Sequence, residues 1–438
     1  MRVLILSADV AGGHDACARA VAALAEADEH VDEVVIDNGL AVCGTLIHRF
    51  VRDGYRAQLD IAEDSWSWLL RCVANPVGST IARWFVGVMM GRRLLRHVRR
   101  SRADIVITTY PLLTIALSRQ RALRRMRVPL VAVTTDPAPH ELVASKYVDG
   151  LLVSTPGDVQ RVREMMPRIR VSAIAPPISS DFAAVIDQAG ARERIGLGLA
   201  GETRPVAVVS GGTWAVGGIE KIVDGLAADG RARVLVLCAT NTALRARIEK
   251  HFCPSDVTAL GFRTDMPDVW AASDVVIHAG AGVTGFEVLA AGRPLVIAEP
   301  ISGHGVRSAE ALHEDGYATF ARTVDEAVEL VCDDERRCHL VCGSLRCGEG
   351  LFARPDVWTA TRNVIPHRGR AAPKLWASRT AATAAVFLAC VVVGGEAQES
   401  NSAKAQAIGA RVHRIGCVPF NHSHTSRVVD TRWVPGNC

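Results

Sequence analysis

The segment His278–Gly303, HAGAGVTGFEVLAAGRPLVIAEPISG, is the most informative stretch of the chain. It reads as a strand end, a Gly-rich turn, a helix carrying Glu287, a second strand and a loop broken by Pro and Gly. Gly280 and Gly282 allow a backbone to approach a ligand closely, since neither carries a Cβ. The helix that follows would aim its unpaired N–H groups at phosphate oxygens. Glu287 comes less than one turn after Thr284, where a carboxylate can accept hydrogen bonds from ribose hydroxyls. A nucleotide-sugar diphosphate fits that arrangement. An ordinary βαβ unit whose glycines only pack helix against sheet stays open beside it.

Elements able to position these residues recur along the chain. Val3–Ser7 is a continuous apolar run, as for a strand buried on both faces, and further strands are expected at Val34–Asp37, Ile105–Thr109, Leu130–Thr134 and Leu151–Ser154. Gly12 and Gly13 end the first, and His14–Glu26 follows with helical spacing. A polar, Gly-containing stretch from Asp181 to Arg204 suits an interdomain linker. A second alternation begins at Pro205, with strands expected at Val206–Val209, Val234–Cys238, Val275–Ile277 and Leu295–Ala298. Two rounds of strand–helix alternation predict an α/β protein with two doubly wound parallel sheets and ligand at their carboxyl ends. The expected division is 1–182, a linker 183–204, a second domain 205–367, and a tail 368–438.

At 438 residues, 49% hydrophobic and 22% charged, the bulk of the chain is globular rather than disordered. The net charge of +4 is small but uneven, with Arg83, Arg92, Arg93, Arg96, Arg99, Arg100 and Arg102 crowded together. Twelve cysteines show no CxxC pair and no zinc spacing, which predicts reduced thiols and no metal site. No signal peptide is expected, because Met1 leads straight into a strand. In the tail, Thr380–Gly395 is uncharged and mostly apolar. At about 16 residues it falls short of the ~20 needed to span a bilayer, so it is only a marginal membrane segment. If it spans, Lys374 and Arg379 before it would keep the large N-terminal part cytoplasmic. Ser400–Cys438 is polar and expected to be poorly ordered.

Five segments carry a family resemblance. SADVAGGHDACARAV resembles the opening of monogalactosyldiacylglycerol synthases and related bacterial diacylglycerol glycosyltransferases, a strand, a Gly-rich GH loop and an Ala-rich helix. TTDPAPHELVASKYVDGLLV, PPISSDF and GFRTDMPDVWAASDVVI resemble that family's internal motifs, and AGVTGFEVLAAGRPLVIAEPISGHG its donor motif. The order is right from about residue 2 to 320. The resemblance, which extends to the lipid-linked N-acetylglucosaminyltransferase of peptidoglycan synthesis, implies a GT-B fold. In that fold two Rossmann-like domains face across a cleft, with acceptor bound N-terminally and nucleotide sugar C-terminally.

It also implies roles. His14, after two glycines at a helix start, would be the catalytic base that deprotonates a lipid hydroxyl. The helix N-terminus would favour its neutral form. Asp15 would cap that helix or orient a partner. Asp136 would be catalytic and His140 would lie with Gly13 near the acceptor. Gly211, Gly212 and Thr213 match the loop facing the phosphates, and Phe262, Arg263 and Met266 would lie near uracil. Gly282 and Thr284 would meet the diphosphate, Glu287 the ribose, and His304 the sugar hydroxyls, where the family usually carries Gln. Gly305 and Ser308 depart from the family pattern, which leaves the sugar unassigned. No acidic DxD-type pair is present, so leaving-group charge would be met by backbone N–H groups and the helix dipole, with no cofactor.

Between Ser65 and Arg102, Trp66, Trp68, Trp84 and Phe85 are interleaved with Arg92, Arg93 and other arginines. Such a segment suits an anionic membrane surface. Nucleic acid is disfavoured, since no reading motif accompanies the arginines. The expected function is therefore a peripheral or tail-anchored transferase on the cytoplasmic membrane face, moving a hexose from a UDP-sugar to a lipid hydroxyl with inversion. A UDP-sugar epimerase and a non-catalytic nucleotide-sugar-binding protein are the alternatives, the second resting on Gly305 and Ser308.

Overall fold

The computed structural model describes residues 1–61, 76–139, 145–184 and 187–365. Trp66, Trp68, His140 and the segment 380–395, all singled out above, lie outside those residues.

Two parallel six-stranded sheets organise the chain. The first contains β1 (Arg2–Ser7), β2 (Glu33–Asn38), β3 (Ile105–Thr108), β4 (Leu130–Val133), β5 (Gly150–Val153) and β6 (Val171–Ala173), in the order β2-β1-β3-β4-β5-β6. The second contains β7 (Val206–Ser210), β8 (Arg233–Ala239), β9 (Val257–Gly261), β10 (Val275–His278), β11 (Leu295–Ile297) and β12 (Thr319–Phe320), in the order β12-β11-β10-β7-β8-β9. All nine strands expected from the sequence are present. The three it does not announce, β6, β9 and β12, stand at sheet edges.

Strand order reverses between β1 and β3 and again between β7 and β10. Loops leaving such neighbours diverge to opposite faces and open a crevice at the carboxyl ends. In the first sheet Leu6 pairs with Thr108, so Thr109 lies beside the loop that leads to His14. In the second, Ser210 pairs with His278, which sets Gly211 beside Ala279. Residues of β3, β4, β5 and β7 are buried throughout, as parallel strands covered on both faces require.

Two segments cross between lobes or dock unexpectedly. Within 183–204 the chain forms the helix Gln188–Ile195, which packs on the helix Met266–Ala272 of the second lobe. Gln188 Nε2 donates to Ser273 O at 2.9 Å, and Arg192 pairs with Asp274 at 2.6 Å. The last helix, Val357–Val364, returns to the first lobe. There Trp358 Nε1 donates to Asp28 at 2.8 Å and Arg362 pairs with the same carboxylate at 2.7 Å. Among the described residues no helix is long and apolar enough to cross a membrane.

Candidate active site

His14 is positioned by the turn between β1 and the helix Gly13–Glu26. Ala11 (φ 57°) and Gly12 (φ 79°) both take left-handed backbone there. Glycine is needed at 12 for room as well: a Cβ would stand 2.6 Å from Thr213 Oγ1 of the second lobe. His14 Nδ1 lies 2.7 Å from Thr109 O and 3.2 Å from Thr135 Oγ1, with its ring edge-on to Tyr110 at 4.9 Å. A carbonyl can only accept, so Nδ1 carries the proton and Nε2 the lone pair. Burial lowers the imidazolium pKa below its usual 6.5, against the opposing pull of Asp136, the Thr109 carbonyl and Asp15. The ring is therefore neutral at pH 7. Asp15 does not cap the helix; its carboxylate accepts from Ser7 Oγ instead.

Asp136 is the exposed residue of an otherwise largely buried turn after β4, and Thr135 Oγ1 donates to its Oδ2 at 3.1 Å. Its other oxygen abuts the second lobe, where a Cβ on Gly282 would come within 2.6 Å of it. Gly282 keeps negative φ (−81°), so glycine is required there for space and not for handedness. The neighbouring Gly285 has the bland role: a Cβ on it would press on Leu295 at 3.0 Å.

The helix Val283–Ala290 begins at Gly282 with no side chain capping it, and Thr284 lies in its first turn. Glu287, partly buried on the same helix, has its carboxyl pushed up to about 7 by burial, against Trp270 and Arg19. Trp270 Nε1 is the buried N–H that faces this carboxyl, with no other hydrogen-bond partner. Gly211, Gly212 (φ 71°) and Thr213 follow β7, and Thr240 Oγ1 fixes the turn by donating to Thr213 O at 3.0 Å. Phe262 stands 66% exposed at the end of β9, Arg263 is paired with Asp265 beside it, and Met266 opens the next helix.

Several contributors escaped the sequence reading. Trp214, from the loop after β7, is buried in the hydrophobic core of the first lobe. Tyr55, on the helix Thr45–Ile61, lies 6.0 Å from the Trp214 ring and brings its Oη 3.4 Å from His304 Nε2. His304 is partly buried; burial lowers its pKa, Asp136 opposes this and Arg307 adds to it. Ser308 Oγ donates to Pro137 O at 2.8 Å, and a Cβ on Gly305 would meet Ile301 at 2.7 Å. His278 is buried neutral under the donor loop, its Nδ1 2.8 Å from Ser210 O and its pKa brought by burial to about 4. Asp9 accepts from Asn38 at 2.6 Å and bonds His48 at 2.7 Å. Burial raises its pKa, but those two partners outweigh it and leave the carboxyl below the usual range. These pairings join residues dozens to hundreds of positions apart, which no local spacing announces.

On the surface of the first lobe, Trp84 (42%) is exposed with Val88 and Met89, Phe85 is half-buried, and Arg92 and Arg93 are exposed. Leu46 (84%) and Phe50 (71%) add an apolar pair that the sequence reading missed. A recess of about 270 Å³ is lined by Val42, Arg93, Arg96, His97 and Arg100. Among the described residues no group of His, Cys, Asp or Glu could hold a metal ion.

Two doubly wound lobes meeting at their strand-order reversals define the GT-B fold. The Anabaena protein HepE, solved with UDP-glucose, shares it: TM-score 0.51 at 15% identity, over 83% of this chain and 98% of that one. Residues 14–176, most of the first lobe, match the family model of monogalactosyldiacylglycerol (MGDG) synthase. The processive diacylglycerol beta-glucosyltransferase of Bacillus licheniformis is 22% identical over 56% of this chain and 63% of its own length. The Bacillus cytotoxicus enzyme of the same name is 21% identical over 77% of this chain and 87% of its own.

Proposed function

We propose that this protein moves a hexose from a UDP-sugar to a lipid hydroxyl, with diacylglycerol the acceptor class its relatives' names support. One observation carries the reading: a neutral His14 with Nε2 as its lone-pair nitrogen, on a turn that abuts both Thr213 and the Gly282 helix start. The acceptor hydroxyl gives its proton to Nε2 as its oxygen bonds the anomeric carbon. The bond from that carbon to the diphosphate oxygen breaks, its electron pair leaves with UDP, and single displacement inverts the centre. Phosphate charge is met by the uncapped N-terminus of Val283–Ala290, with Gly212 and Thr213 opposite. Glu287 takes the ribose hydroxyls, and Phe262, Arg263 and Met266 lie toward the base. Asp136 sets negative charge beside the sugar, where positive charge develops. Gly13 belongs to the acceptor side of the same turn.

The departures at Gly305 and Ser308, which favoured an eroded site, have structural employment: Gly305 lies against Ile301, and Ser308 ties the two lobes together. That supports a working enzyme over a binding protein. Purified protein given each UDP-sugar should release UDP only when vesicles containing diacylglycerol are present. Release without lipid would point to epimerase-type or hydrolytic chemistry, and binding without turnover to a sensor.

We further propose that the first lobe leans on an anionic membrane from the cytoplasmic side. Leu46, Phe50, Trp84, Val88 and Met89 supply exposed apolar contact, and Arg92, Arg93, Arg96 and Arg100 the attraction to lipid phosphate. Replacing Leu46 and Phe50 together by Glu should cut sedimentation with phosphatidylglycerol vesicles by roughly tenfold or more. Turnover on a short-chain dispersed acceptor should change little. Undiminished sedimentation would move the contact elsewhere.

A further inference from the structure

The sugar-reading part of the cleft is closed from both lobes. His304 opens the helix His304–Glu314 of the second lobe, and Tyr55 reaches it from the first. Their contact of 3.4 Å, at the outer limit of a hydrogen bond, sets the two groups close enough for one hydroxyl to touch both. Both partners are held by their surroundings. Ser308 Oγ on Pro137 O, at 2.8 Å, and Arg161 on Glu314 and Asp315, at 3.1 and 3.0 Å, pin the His304 helix to the first lobe at its middle and its C-terminal end. Tyr55 in turn leans on Trp214, whose ring is also covered by the Arg56 guanidinium at 5.8 Å. Trp214 belongs to the donor loop yet is buried in the first lobe, so the Tyr55 wall and the phosphate loop are assembled together.

We propose that Tyr55 is a specificity-determining residue for the donor sugar, holding one hexose hydroxyl jointly with His304 across the cleft. This rests on the UDP-sugar reading above. A neutral imidazole and a phenol can each donate or accept, so the pair recognises a hydroxyl by its position and not by charge. An epimer whose hydroxyl points elsewhere forgoes the contact with both groups, and a site built to bond a substrate hydroxyl discriminates against the analogue that misplaces it. The choice of sugar then depends on the acceptor lobe being in place.

The test measures kcat/KM for UDP-glucose, UDP-galactose and UDP-N-acetylglucosamine, with UDP affinity by calorimetry, in wild type, Tyr55→Phe, His304→Gln and the double variant. Tyr55→Phe should lower kcat/KM for the preferred donor by roughly 10- to 100-fold and compress its preference over the epimer at least about fivefold. UDP affinity should stay within about twofold, and the two substitutions should be non-additive for sugar donors but additive for UDP. An equal loss for every donor, or an unchanged preference, would overturn the proposal while leaving the enzyme reading intact. Failure of wild type to bind UDP at all would overturn both.

Discussion

Replacing His14 by alanine lowers turnover by roughly two to four decades, the usual contribution of a general base. UDP affinity stays within about twofold, because the lost group acts on the acceptor and only in the transition state. The expectation follows from the tautomer. The Thr109 carbonyl at 2.7 Å takes the Nδ1 proton, and the ring needs its Nε2 lone pair to do chemistry. Burial holds the imidazolium pKa below 6.5, so the base is in its working form at neutral pH. The sign of the pH dependence is therefore fixed: kcat at saturating donor is level near neutral pH and falls on acidification, with its limb displaced to the acid side of an ordinary imidazole. His14→Ala should remove that acidic limb together with the rate. A variant that keeps wild-type turnover, or loses rate while keeping the limb, would take the base role from His14.

The two loops proposed for the donor were legible as loops because their residues are local. Gly282, Thr284 and Glu287 fall within one helical turn and a half, and Gly211–Thr213 directly follows a buried strand. The doubly wound fold was legible for a similar reason: the inner strands are short continuous apolar runs. β6 and β12 were not, being only 3 and 2 residues long, and β9 was not, because Thr258 and Gly261 break up its apolar run. The helix Gln188–Ile195 was hidden by its polarity; its arginines and glutamine are spent on Asp268, Asp274 and Ser273 of a neighbouring helix end. What closes the cleft was the least legible. Tyr55, Trp214 and Ser308 look like ordinary helix and loop residues until the fold brings them to His304, to the first lobe's core and to Pro137.

Changing Glu287 to glutamine should make the protein a poorer binder and a more stable fold. Burial raises this carboxyl to about 7, against about 4.5 for a solvated glutamate. Between those values the folded chain holds a proton that the unfolded chain has released, so stability falls as pH rises from 4.5 through 7. Above 7 the ionised group costs the fold up to about 3 kcal/mol, which Gln does not incur. Thermal melts should therefore show Glu287→Gln gaining at pH 8 and matching wild type at pH 5. Among the described residues Trp270 and Arg19 only partly offset the burial. Ribose hydroxyls donating to the carboxylate would offset it further. UDP affinity in wild type should then rise with pH through 7, with proton release on binding visible as a buffer-dependent calorimetric heat. Glu287→Gln should weaken UDP by roughly 10- to 100-fold, as loss of hydrogen bonds to a charged acceptor predicts. Because this limb appears in KM and the His14 limb in kcat, the two titrations separate in one pH series. A Gln variant that binds UDP as wild type does, with no gain in stability at pH 8, would remove Glu287 from the ribose and reduce it to a packing residue of its helix.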